Sequence, residues 1–110
     1  MTTSQTLLVL FTAALLEAGG DALVRKGLHS AALPRIGFMI AGAAVLLAYG
    51  CTVNTPPWSF GRLIGVYVVF FFVLAQVIGW LAFREAPDAR LLVGGGCIVI
   101  GGLIVSASRL

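Results

Sequence analysis

Long apolar runs separated by short polar breaks dominate the chain from end to end. Four runs are long enough to cross a hydrocarbon layer about 30 Å thick, which takes about 20 helical residues. They cover about 5–24, 36–53, 63–83 and 91–107, and together they predict an all-α membrane protein with one four-helix transmembrane domain over 1–110. The breaks contain Arg25-Lys26, then Pro34-Arg35, then Asn54-Thr55-Pro56-Pro57, then Arg84 to Arg90 around Pro87. Pro34 and Pro87 are expected just outside helices, where a residue without an amide proton is tolerated. Asn54 reads as the stop of the second helix. Trp58 and Trp80 fall near the predicted interfaces, as belt residues do. The short alternating strands of a membrane barrel are missing.

Composition supports this reading. Hydrophobic residues make up 60% of the chain and charged ones 10%, whereas soluble domains carry roughly 25% charged residues. The net charge of +3 is then expected to mark topology and not a nucleic-acid patch. Arg25, Lys26, Arg35, Arg84 and Arg90 fall on one side, Arg62 and Arg109 on the other. This bias favours both termini outside the cytoplasm, with insertion in both orientations left open. Cys51 and Cys97 lack ligand-like spacing and read as small packing residues. His29 reads as solvated, because a metal site would need partners that the sequence lacks. No hydrolase set, phosphate loop or HExxH is present, so neither an enzyme nor a cofactor is expected. The first fifteen residues do not read as a cleaved signal peptide.

The informative stretch is LEAGGDALVRKGL, residues 16–28. Glu17 lies eight residues before Arg25, about 12 Å along a helix, and so near the middle of the first span. Its neighbours three and four positions away are Ala13, Ala14, Gly20 and Asp21, none of which can neutralise it. An ionised carboxylate there costs about 2.5–3.5 kcal/mol or more, so the group is expected to take up a proton or face a wet cavity. That behaviour suits a proton-coupled transporter, while hydrogen bonding to another helix is the structural alternative. Asp21 stands four residues before Arg25, a spacing that favours an ion pair on one helix; otherwise it widens the acidic site. Gly19 and Gly20 leave room for a ligand or for a closely packed helix. Gln76 is a candidate for a hydrogen bond between helices.

Four helices cannot enclose a pathway and also shield it from lipid, so the chain is expected to work as a dimer. In the fourth helix Gly94 and Gly101 are seven residues apart, as are Gly95 and Gly102. Such a stripe lets helices approach closely, in a dimer or within one subunit. The bulky run VYVVFFFVL, residues 66–74, reads as facing lipid or lining a cavity.

TAALLEAGGDALVRKG in the first helix, GWLAFRE at the end of the third and GGGCIVIGGLIVSASR in the fourth resemble the small multidrug resistance family of the drug/metabolite transporter superfamily. FGRLIGVYVV resembles its YnfA-type branch. The resemblance implies an antiparallel dimer in the cell (inner or plasma) membrane. It also implies proton-coupled export of small cationic or hydrophobic compounds, with protons and substrate competing for Glu17 of both subunits. Gly20 matches a small residue of the drug-exporting branch, and Gly94 and Gly101 match the dimer seam. Aligned through Gly79 and Arg84, the family's aromatic substrate positions fall on Arg62 and Gly65, with Tyr67 nearby and Tyr49 a positional candidate. Arg62 and Asp21 depart from the pattern. An Arg62 that reached Glu17 would weaken cation binding, whereas one that snorkels to the interface would leave the mechanism intact. The expected partners are a small cationic molecule, protons, membrane lipid and a second copy or paired homologue, with no nucleic acid. Two further readings are a flippase or flippase subunit for a lipid-linked or anionic head group, with Arg62 on the phosphate, and a non-transporting accessory subunit.

Overall fold

A computed structural model describes residues 1–108. It contains α1 (Thr3–Leu28), α2 (Ala32–Val53), α3 (Phe60–Phe83) and α4 (Ala89–Ser106). All four helices are long and apolar enough to span a membrane, and the described residues contain no strand. Arg109, counted above for topology, lies outside the described residues.

Local chemistry sets the helix ends, and most helices extend beyond the apolar runs. The Thr2 hydroxyl accepts from the Gln5 amide at 3.2 Å while the Gln5 side chain accepts from the Thr2 amide at 2.9 Å. This reciprocal box starts α1 two residues before the predicted boundary. Arg25 and Lys26 occupy its last turn, where cations offset the unpaired carbonyls, and the helix continues to Leu28. α2 begins at Ala32 and so takes Pro34 into its first turn instead of leaving it outside. The first turn has no carbonyl to receive that amide proton, so proline costs little there. Asn54 ends α2, its side-chain amide donating to the Gly50 carbonyl at 2.8 Å. Asp88 caps α4 by accepting from the Leu91 amide at 2.8 Å.

α1 packs against both α2 and α3, and α4 packs against α3 alone, so the spatial order is α2–α1–α3–α4. The helices form an open array with principal extents of 48 × 34 × 19 Å. α1 and α2 run antiparallel. Gly20 lies against Leu46 and the Gly42 carbonyl, and Gly27 against Phe38 and Met39. α3 and α4 are antiparallel as well, with Gly65 against Val105, Val69 against Gly102, and Phe72 against Gly95.

The bulky run of α3 divides: Val68 and Val73 are exposed and Phe70, Phe71 and Phe72 line clefts, in keeping with a lipid or cavity surface, while the rest of the run is packed between α1 and α4. Val66 and Tyr67 are buried in the core with Leu10, Ala13 and Ala14 of α1. Val69 and Phe72 fill the hollows over Gly102 and Gly95. Large side chains on α3 face small ones on both neighbours, and this complementarity brings the backbones together without a hydrophobic drive between helices. The glycines of α4 divide between two faces. Gly95 and Gly102 serve packing within the subunit, while a side chain on Gly94 or Gly101 would meet nothing.

A Cβ on Gly102 would overlap Val69 Cγ2, whereas one on Gly96 would meet nothing. Gly102→Val is accordingly expected to destabilise the protein by about 1–3 kcal/mol. Gly96→Ala should be neutral or stabilising by up to about 1 kcal/mol. Unfolding of the two variants followed by circular dichroism in detergent micelles measures the difference.

Candidate functional site

Glu17 sits fourteen residues after the start of α1 and eleven before its end, within a few ångströms of the helix midpoint on the helical rise of about 1.5 Å per residue. Its partner comes from α3. The Tyr67 hydroxyl donates to Glu17 Oε1 at 3.2 Å, and the Tyr67 ring is 3% exposed. That ring is held from both sides. Tyr49 of α2 approaches with ring centroids 5.6 Å apart, and Phe71 stacks one turn further along α3 at 6.2 Å. Glu17 itself is half-buried. Three helices thus meet around one carboxyl group. It is oriented by a fixed phenol and flanked by aromatic faces that attract a cation.

One turn towards the connecting loops, Asp21 is exposed and lines a cleft of about 210 Å³ with Ala18, Phe71, Phe83, Arg25 and Glu85. Asp21 and Glu17 are four residues apart, on one face of α1. The expected Asp21–Arg25 ion pair is not formed among the described residues. Arg25 instead reaches across to the segment after α3, its Nη2 donating to Glu85 Oε2 at 2.9 Å. Its guanidinium also lies 4.9 Å from the centre of the Phe83 ring. Glu85 is aimed there by the end of α3. Arg84 takes the left-handed conformation at φ 56° and the Glu85 amide donates back to the Gly79 carbonyl at 3.0 Å. This helix-ending turn is more often made by glycine. Both partners are about half exposed, so the pair contributes at most about 1 kcal/mol. Its weight is positional, since it spans the loop-side mouth of the cleft.

Arg62 joins neither acid. Its Nε donates to the Ser106 carbonyl at 3.1 Å, and its guanidinium lies 4.0 Å from the centre of the Trp58 ring. It occupies the first turn of α3 and covers the last carbonyls of α4, at the end of the protein that carries the termini. Gly65 faces α4 and Gly20 faces α2, each against a side chain of its neighbour. Both therefore tighten helix contacts. Among the sequence candidates, the structure brings together Glu17, Tyr67 and Tyr49, places Asp21 at the cleft beside them, and sets Arg62, Gly65, Gly94 and Gly101 apart. Gln76 makes no interhelical hydrogen bond among the described residues and lies in an apolar groove with Trp80 and Leu92.

Sequence reasoning overlooked Glu85 and Phe83. A signal existed: Glu85 follows the third span directly and Arg25 closes the first, which puts opposite charges at the same membrane surface. No group of three or more acidic, His or Cys residues among the described residues could hold a metal ion.

Comparison with known proteins agrees with this architecture. A family model described as "Uncharacterised BCR, YnfA/UPF0060 family" matches residues 3–109. The UPF0060 membrane protein YfjF of Bacillus subtilis is 38% identical over 102 residues, covering 91% of both chains. A UPF0060 membrane protein of Herpetosiphon aurantiacus is 37% identical over 95 residues, covering 84% of both. One from Staphylococcus haemolyticus is 31% identical over 99 residues and 88% of each chain. No solved structure matches. Four membrane-spanning helices and a match along nearly the whole chain make this a multi-pass membrane protein of the YnfA/UPF0060 family.

Proposed function

We propose that the chain is one half of a dimeric proton-coupled antiporter in the cell's inner or plasma membrane, exporting small cationic or hydrophobic compounds. The observation that carries this reading is the Tyr67–Glu17 hydrogen bond of 3.2 Å at mid-membrane. A carboxyl group there can be neutralised by a proton or by a bound cation. It cannot hold both, so loading one expels the other. Tyr67 orients the carboxylate, and the Tyr49 and Tyr67 rings supply π faces to the cation. Asp21 and the cleft behind Arg25–Glu85 form the approach from the loop side. The position of Arg62 favours the same reading, since its charge is held at Ser106 and Trp58 and does not compete with substrate at Glu17.

The open order α2–α1–α3–α4 leaves this site uncovered on one side, which favours a second copy, or a paired homologue, as the missing wall. Gly94 and Gly101, clear of α3, are available to that contact. The resemblance to the small multidrug resistance family points to an antiparallel arrangement of the two subunits.

Glu17→Gln is expected to abolish both transport and substrate-induced proton release in proteoliposomes carrying a panel of organic cations. Retained transport would overturn the shared proton and cation site at Glu17, and a lack of transport by the unmodified protein across the panel would favour a flippase or a non-transporting accessory subunit. Tyr67→Phe keeps the ring and removes the hydrogen bond to the carboxylate, so cation affinity should fall about ten- to a hundredfold, the value of one bond to a charged group. Isothermal titration with the substrate found in the panel measures it.

A further inference from the structure

The cation that the proposed transport site does not use lies in a built setting of its own. Arg62 lines a groove of about 360 Å³ between the start of α1, the start of α3 and the end of α4. At its membrane-surface end are Trp58, Arg62 and Ser106; its length is walled by apolar side chains including Val69, Val99 and Leu103. Among the described residues, no carboxylate lines it. The contacts that hold the guanidinium are neutral, a π face and a carbonyl oxygen. They fix its plane while using one of its five N–H donors on Ser106, and they do not compensate its charge.

We infer that this groove is a binding site for an anionic phospholipid, with the phosphate on the Arg62 guanidinium and one acyl chain along the α3–α4 wall. Charge complementarity selects the head. A half-buried, orientated guanidinium at the membrane surface, facing no acid among the described residues, matches a phosphate in the planar geometry that arginine favours. Shape selects the tail. From Ser106 to Val99 the wall runs about 10 Å along α4, most of the depth of one leaflet, which is about 15 Å. A free anion would satisfy the guanidinium and leave this apolar length empty. A lipid fills both, and it would also hold α4, which packs on α3 alone, against the rest of the array. The site is separate from Glu17 and stands whether or not the antiporter reading holds.

Trp58 reports on the site directly, because the chain has two tryptophans and Trp80→Phe leaves it alone. The full-length single-tryptophan protein is placed in phosphatidylcholine vesicles containing a minor fraction of brominated phosphatidylglycerol or brominated phosphatidylcholine. The anionic lipid is expected to quench Trp58 at about fivefold lower mole fraction, the selectivity that one membrane-surface arginine provides. Arg62→Gln should bring that ratio to about one and Arg62→Lys should restore most of it, which separates loss of charge from loss of fold. Val99→Phe, which fills the groove, should weaken quenching by the anionic lipid. Equal quenching by the two lipids in the unmodified site overturns the proposal, as does a ratio that survives Arg62→Gln or fails to return with lysine. Relief of quenching by added inorganic phosphate would identify a free-anion site and overturn it equally.

Discussion

A carboxyl group at the midpoint of a membrane helix has no water to bind and no partner on its own helix within reach. Its hydrogen bond must come from a neighbour, and in this protein that requirement ties α1 to α3. Tyr67 answers Glu17 at 3.2 Å, and for the phenol to stand there its ring must be clamped, which Phe71 on one side and Tyr49 on the other accomplish. Tyr49 in turn has to be delivered by α2, which the Gly20–Gly42 approach presses onto α1. The position of α2 and the orientation of the acid are therefore parts of one arrangement.

The same economy governs the outer helices. Alanines and glycines on α1 and α4 receive large side chains from α3, the helix richest in aromatic residues, which packs between them. α4 is the exception to this enclosure, since one face of it meets α3 and the others meet nothing in the subunit. Its two glycine rows do different work: Gly95 and Gly102 receive Phe72 and Val69, while Gly94 and Gly101 stay open.

The spans, their order and the depth of Glu17 were legible in the sequence, because hydropathy and the helical rise are local properties. Tyr67 was named only as lying near the expected aromatic positions. Nothing local could say that its hydroxyl meets a residue fifty positions earlier. The Asp21–Arg25 pair failed for a physical reason: spacing on one helix competes with a partner from another, and Glu85 offers Arg25 a carboxylate beside an aromatic face. Arg62 was ambiguous because an arginine near the membrane surface can reach inward or outward with equal ease, and the uncovered carbonyl of Ser106 decided it. The bulky α3 run was half legible: its surface character holds at Val68 and Val73, but the burial of Val66 and Tyr67 depends on small residues of another helix, which no local pattern shows.

The fifty residues between Glu17 and Tyr67 also set a schedule for biogenesis. Synthesis at about 5–20 residues per second means that α1 precedes its partner by about 3–10 s. Throughout that interval the acid has neither the Tyr67 phenol nor Phe71 beside it. The nascent first helix must then enter the bilayer without its hydrogen-bond partner, or wait at the insertion machinery until α3 emerges. The acid that ties α1 to α3 is thus the least sheltered residue of its helix at birth, and the order of synthesis makes hairpin formation by α1 and α2 an incomplete shelter for it.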